Sequence, residues 1–568
     1  MRGLLIADFN ADNLASYLRN DSGEPAIECE VAPLARVTQN LLDGGQPFWR
    51  AGLDFVVVWT RPETVLGTFN RVLSGHEGDE TELEQEVDIH VEQVLLASSR
   101  ASVVFVPTWV VPPLHAGHGM LDLSKGVGVA RTLMGANLRL VQRLDGATNV
   151  FPLNTSKWVE LTGEKAFNPR LWYSGKVPFG NEFLKTAARD MKAALRGVRG
   201  RARKLVILDL DETLWGGIVG EIGWQHLALG GHDPAGEALQ DLQRELKALT
   251  QRGIILALAS KNEESVALEA IEKHPEMILR TNDFAAWRIN WKDKAENIID
   301  LVGELNLGLD AAVFVDDSPV ERARVRDMLP EVLVPEWPAD KRLYPQALCS
   351  LDCFDQPRFS KEDRQRTQMY VSARQRNQSR QHAGSLDDWL KSLDLLVVCE
   401  PVDEANLARV TQLLNKTNQM NLSTRRLSEV EFQAWVEAGR CQAWAFQVSD
   451  KFGDSGLSGV LSVAAEGERA RIVDFVLSCR VMGRRIEETM LSVAVEWAGA
   501  LRLPEVVAVY LATPKNKPCY EFLARSGWQQ GGDGVFIWPT ARAYPAHTAL
   551  KLIHKTGPGA PGEAVGTN

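Results

Sequence analysis

The stretch KLVILDLDETLWGG, residues 204–217, is an apolar run that stops at two carboxylates, Asp209 and Asp211. Two later runs repeat the pattern: GIILALAS ends at Ser260, and AAVFVDDS carries Asp316 and Asp317 at its end. Short apolar runs of this kind are buried strands, and helical periodicity over Ala235–Gln251 and Ser265–Lys273 separates them. Strands alternating with helices predict an α/β unit with a parallel sheet, whose ligands bind beyond the carboxyl ends of the strands. The polar residues of this segment fall at those ends.

A chain of 568 residues exceeds what one core usually takes, so three domains are expected. GLLIADF, LDFVVVW and ASVVFVP, with helix-like stretches such as Glu82–Ser98 between them, predict an α/β domain over 1–200. The carboxylate-bearing unit occupies 201–353. The polar stretch 354–395 reads as an exposed helical connector, a third domain spans 396–546, and the Gly- and Pro-rich tail 547–568 is expected to be disordered. A basic stretch closes the first domain: Lys185, Arg189, Lys192, Arg196, Arg199, Arg201, Arg203 and Lys204. It reads either as a solvated helix face and linker or as a docking surface for an acidic partner. His115 and His118 sit beside Pro112 and Pro113 and read as loop residues, not as metal ligands.

The net charge of −11 argues against a nucleic-acid partner. No apolar run reaches about 18 residues, so no membrane span is expected. The beginning, MRGLLIADFNADN, lacks the organisation of a signal peptide. Seven cysteines without a CxxC pair suit free thiols in a reducing cytoplasm.

Brought together, Asp209, Asp211, Asp316 and Asp317 repel one another unless they share a cation. Few hard oxygen ligands suit Mg²⁺. Ser260 adds a hydroxyl, and Lys292 or Lys294 in NWKDKAEN adds an ammonium. A metal beside a Ser and a Lys is suited to phosphate. One carboxylate can then attack phosphorus, and the other can protonate the leaving group and later activate water.

DLDETLWGG, ALASKN, NWKDKAEN and VFVDDSP resemble the four motifs of the haloacid dehalogenase superfamily. The resemblance implies that Asp209 is the nucleophile and Asp211 the general acid/base. It implies that Ser260, Asn262 and Lys292 serve phosphate, with Lys294 the alternative lysine. Asp209, Asp211 (through its carbonyl), Asp316 and Asp317 would serve Mg²⁺. About fifty residues separate Asp211 from Ser260, and about thirty separate Ser260 from Lys292. Core elements use most of both intervals, which leaves little chain for a lid and favours a phosphate carried on a large substrate.

In the third domain, LSCRVMGRRIEETMLSVAVEWA is a strand, a basic turn and a helix. It resembles the acyl-CoA-binding motif of GNAT acyltransferases, with Arg480, Gly483 and Tyr520 as pantetheine- or acyl-binding residues. Arg485 departs from that motif, which prefers Gly or Ala there. Cys479, beside arginines and a helix start, reads either as a reactive thiol able to carry an acyl group or as a small buried apolar residue.

Together with RLWYSGKVPFGNEFL and LLNKTNQMNLSTRRLSEVE, these stretches resemble the FkbH-like family of polyketide biosynthesis. The resemblance implies an SGNH-hydrolase-like first domain, a haloacid-dehalogenase core without a large cap, and a GNAT-like third domain. It also implies transfer of a glyceryl unit from 1,3-bisphosphoglycerate to an acyl carrier protein. ADFNADN stands where the SGNH nucleophile motif would be, so hydrolase chemistry in the first domain is expected to be lost. Glu212 and Ile222 differ from the family's DLDNTLWGGVIGEDG, and the sequence offers no role for Glu212. A stand-alone small-molecule phosphatase and a non-catalytic carrier-docking module are the alternative readings.

Overall fold

Residues 205–208 are fully buried and alternate strictly between two layers, as a strand covered on both faces must. Val206 and Leu208 join one apolar cluster; Leu205 and Ile207 join another across the sheet. In the computed structural model this strand pairs in parallel with Ile255–Ser260 on one side and Ala312–Val315 on the other. Phe284–Ile289 completes the sheet beyond Ile255–Ser260. That fourth strand is absent from the sequence reading, because FAAWRI has neither a long apolar run nor a strand-end acid. The structure describes residues 1–555 except 35, 50–51, 113, 358–365, 382, 428, 438–440, 533 and 546–548.

The first domain is a second parallel sheet, ordered Glu28–Val31, Arg2–Ala7, Phe55–Trp59, Val103–Pro107, Val150–Leu153. The helix Asn181–Val198 covers one face through Phe183, Leu184, Ala187, Ala188, Met191 and Leu195. The third domain is a mixed sheet that includes Leu395–Pro401, Cys441–Asp450, Gly453–Glu466, Arg469–Leu477 and Glu505–Val509, with the helix Ile486–Ala500 against it. The chain is thus a multi-domain α/β protein. No helix among the described residues is long and apolar enough to cross a membrane.

Three expectations are corrected here. Within the expected tail 547–568, Leu550–His554 is an edge strand parallel to Leu395–Pro401, with Leu550 and Leu552 packed on the core, and 547–548 and 556–568 lie outside the described residues. Alternation in LKLIH is the driving signal, masked in the sequence by the Gly/Pro-rich residues that follow. The connector is not simply exposed, because in the helix Arg366–Gln381 Val371, Ser372 and Arg376 are buried. Tyr370 donates to the Leu305 carbonyl (3.2 Å), and Arg374 donates to the Phe284 carbonyl (2.7 Å) while stacking on Trp287. On its other side Ser372 donates to the Phe452 carbonyl, and Arg376 pairs with Asp450 at 2.6 Å. The helix therefore ties the second domain to the third, Arg374 through a carbonyl and Arg376 through a buried acid.

The basic stretch is likewise committed within the chain. Lys192, 1% exposed, donates to the carbonyls of Asp21 and Gly23 and to Asp21 Oδ1. Arg196 pairs with Asp352, Arg199 with Asp54 and Arg201 with Glu24. Arg203 donates to the carbonyls of Asp310, Ala312 and Glu331. Arg196 and Arg201 thus join the first domain to the second, while Lys192 and Arg199 are bound within the first and Arg203 within the second, so a free docking surface is not what the structure shows for them. In the loop at 115–118, His115 Nδ1 accepts from the Gly117 N–H, so Nε2 bears the proton and donates to the Leu73 carbonyl at 2.8 Å.

Candidate active site

Asp209 is the first residue past the central strand, and Asp316 and Asp317 follow the strand beside it. Parallel register brings them to one edge. One oxygen from each of Asp209, Asp316 and Asp317 lies within 4.8 Å of the others. Asp316 is fully buried and Asp209 nearly so. One cation stands among them: Lys294 Nζ is 2.6 Å from Asp316 Oδ2 and 3.0 Å from Asp209 Oδ1. The second contact is an ion pair outside hydrogen-bond geometry, and Asp209 Oδ1 has no hydrogen-bond partner.

Lys294 replaces Lys292 as the site lysine. Asp293 caps the helix Lys294–Glu304, accepting from the amides of Ala295 and Glu296. That start places Lys294 at the first helical position, facing inward at 3% exposure. Lys292 precedes the cap and is exposed, and its backbone N–H donates to Asn290 Oδ1.

Asp211 has a different environment. Its Oδ1 accepts from the Trp215 indole (2.8 Å) and the Val219 amide (3.0 Å), and its Oδ2 accepts from Asn262 Nδ2 (2.8 Å). The Asp211 side chain is outside the three-carboxylate group. Asn262, expected to serve phosphate, is instead turned to Asp211: its amide donates to Asp211 Oδ2 and its Oδ1 accepts from the Glu263 N–H. Ser260 ends the adjacent strand, 2% exposed, at the same edge.

Support comes from residues the sequence reading left out. Thr213 Oγ1 accepts from the Asp317 N–H and donates to Asp317 Oδ1. Arg322 donates to the carbonyls of Asp316 and Asp317, both at 2.7 Å. Glu212 stands at φ 60°, a left-handed conformation that the Asn of the resembled motif tolerates better; for Glu it costs roughly 1–2 kcal/mol. Its carboxylate is tied to the Lys341 ammonium and to the Gly217 amide (2.6 Å), which pins the segment carrying Trp215 and Val219. Gly217 stands at φ 102°, a backbone conformation that residues with a Cβ rarely adopt.

Burial raises the Asp211 carboxyl above its usual range, helped by the Asp209 charge. Burial and the neighbouring Asp209 push Asp316 up to about 6, against the pull of Lys294. Burial also raises Asp317. Burial alone would lower the Lys294 pKa; Asp209 and Asp316 outweigh it, and the ammonium is held charged. Three acids so placed favour a second cation over simultaneous ionisation with Lys294 alone.

In the third domain the predicted residues are placed as follows. Cys479 lies in the turn Cys479–Val481; its side chain is outside the described part of the structure. The exposed Arg480 guanidinium lies against Met369 Sδ at 2.8 Å. Gly483 donates its N–H to Glu487 Oε1. The Tyr520 hydroxyl accepts from Gln530 Nε2 at 2.7 Å, and its ring lies between Tyr510 and Phe536. Burial pushes the Glu487 carboxyl up to about 6, so it is ionised at neutral pH.

No family model matches the chain, and no curated protein matches it. Among solved structures it is similar to the N-terminal part of the protein BF1531 from Bacteroides fragilis, containing a phosphatase domain complexed with Mg. Identity is 27%, over 63% of this chain and 95% of that one, with a TM-score of 0.56. A spermidine N-acetyltransferase from Vibrio cholerae, in complex with CoA and spermine, matches at 13% identity over 26% of this chain and 97% of its own, with a TM-score of 0.21.

Proposed function

We propose that this chain is a Mg²⁺-dependent phosphatase and acyltransferase. It would take the glyceryl unit of 1,3-bisphosphoglycerate, remove its phosphate, and load the unit as a thioester on the phosphopantetheine thiol of an acyl carrier protein. The observation that carries the phosphatase half is the group Asp209, Asp316, Asp317 and Lys294, with Asp211 held apart by Trp215, Val219 and Asn262. The likeness to a Mg-bound phosphatase domain supports it.

The residues fit a divalent cation: three clustered carboxylates face one ammonium, and Asp209 Oδ1 lacks a hydrogen-bond partner. Asp209, Asp316 and Asp317 would hold it, and when bound it neutralises phosphoryl oxygens. Asp209 attacks phosphorus, the phosphorus–oxygen ester bond breaks, and Asp211 gives its proton to the departing oxygen. Asp211 then takes a proton from water as that water releases phosphate from Asp209. Lys294, 3.0 Å from Asp209 Oδ1, holds that carboxylate in place. The acyl half follows from the mixed anhydride: a thiolate attacks its carbonyl carbon, phosphate leaves, and a thioester forms. Cys479 is the proposed first acceptor.

The test is to incubate enzyme, 1,3-bisphosphoglycerate, Mg²⁺ and holo-carrier protein, and to weigh the carrier. A gain of one glyceryl unit is expected, lost with Cys479→Ala. An unchanged carrier mass with every phosphoglycerate tried sinks the loading half, and rapid Mg²⁺-dependent phosphate release without a carrier points to a stand-alone phosphatase.

The acids also set a pH dependence for Mg²⁺. Protons and metal compete for the same oxygens, and Asp316 holds its proton up to about pH 6 in the metal-free protein. Affinity should therefore be steady above pH 7 and fall by up to about tenfold per unit as the pH drops below 6. Calorimetry at pH 7.5 and 5.5 checks this; equal affinities would remove Asp316 from the metal site.

A further inference from the structure

The turn 478–485 leads into the helix Ile486–Ala500. Backbone N–H groups at such a junction ordinarily attract an anion. Here the anion belongs to the chain. Glu487 Oε1 accepts from the Gly483 N–H at 2.7 Å. The residue is 4% exposed, and its second oxygen, Oε2, is buried without a partner.

The arginines of the turn are also committed. Arg484, 6% exposed, pairs with Asp450 at 3.1 Å and donates to the Arg480 carbonyl. Asp450 is shared with Arg376. Arg485 sits at φ 65° and pairs with Glu488 at 2.7 Å. A pyrophosphate arriving at this turn would meet a buried carboxylate on the Gly483 amide, with Arg484 already turned to an acid. Like charges so placed repel, and the Gly483 amide is no longer free to donate to the pyrophosphate.

We propose that Glu487 is a specificity-determining residue that makes this domain select a pantetheine thiol carrying no nucleotide pyrophosphate. A pantetheine arm is neutral along its length and asks nothing of the Gly483 amide. CoA must displace Glu487 or lie beside its charge. This rests on the reading that the third domain handles a pantetheine thiol, and the negative element is a device against the wrong acceptor thiol.

The experiment is calorimetric titration of the full chain with CoA and with pantetheine at pH 7.5, for wild type, Glu487→Ala, Glu487→Gln and Arg485→Gly. Wild type is expected to bind pantetheine at least about tenfold more tightly than CoA. Glu487→Ala should gain about tenfold for CoA with pantetheine unchanged. If its melting shows that it does not fold, the isosteric Glu487→Gln carries the test and should gain at least about threefold. Equal or tighter CoA binding by wild type overturns the proposal. So does a folded Glu487 variant with no gain, or a gain in Arg485→Gly as large as that in the Glu487 variant. A wild type that binds no pantetheine instead overturns the reading on which the proposal rests.

Discussion

Asp209→Asn is expected to lower phosphate release by about 10⁴-fold or more while leaving the thermal melt in place. Two carboxylates two residues apart stand at the strand end, and only one is free to attack. Asp211 already accepts three hydrogen bonds, from Trp215, Val219 and Asn262. Asp209 Oδ1 accepts none and lies 3.0 Å from the Lys294 ammonium. A factor of 10⁴ is about 5.5 kcal/mol of barrier, the scale of losing a nucleophile. The amide keeps the shape and removes a charge that now raises the proton affinity of Asp316 and Asp317, so folding without metal should not suffer. A phosphate-release assay beside a melting curve decides it. Activity within tenfold of wild type would hand the nucleophilic role to another group.

Lys294→Met and Lys292→Met should differ by the full range of a point mutation. Lys294→Met leaves Asp209 and Asp316 buried together without their shared cation. Breaking such a group costs about 3–5 kcal/mol in the metal-free protein. Saturating Mg²⁺ should recover part of that loss, because a second cation serves the same oxygens, while phosphate release stays about 10³-fold down or lower. Lys292→Met, at an exposed position, should change stability by no more than about 0.5 kcal/mol and leave turnover nearly unchanged. Denaturant titrations with and without Mg²⁺, with turnover, measure both. Loss of activity in Lys292→Met with Lys294→Met intact would reverse the assignment.

The same two lysines show where sequence reading stops. Both stand in NWKDKAEN, and both are the right type at an acceptable spacing. Which one enters the site depends on where the helix begins. Asp293 caps it, so Lys294 starts the inward face and Lys292 is left in the loop. Asn262 is a similar case. ALASKN places an amide at the edge, but only the return of the 213–219 segment brings the Asp211 carboxylate within 2.8 Å of it. The cations from Lys192 to Arg203 read as a solvated face or a docking surface because their acceptors lie elsewhere: on residues 21–24 and 54, and again beyond residue 300.

The sequence by itself determined that parallel buried strands end in acids on one edge. Four-residue apolar runs such as Leu205–Leu208 can be satisfied only inside a covered sheet, and the first polar residue after each must emerge at its carboxyl end. That is local patterning, and it is enough to put Asp209, Asp211, Ser260, Asp316 and Asp317 at one edge. Only the tertiary structure decided which oxygens share a cation, which acid is held apart, why Glu212 stands in a left-handed conformation, and that Glu487 fills the turn before its own helix. Each of these depends on the direction of a side chain relative to a partner distant in sequence or one helical turn away. The hydrophobic pattern fixes the layer a residue occupies; hydrogen bonds and ion pairs within that layer fix its task.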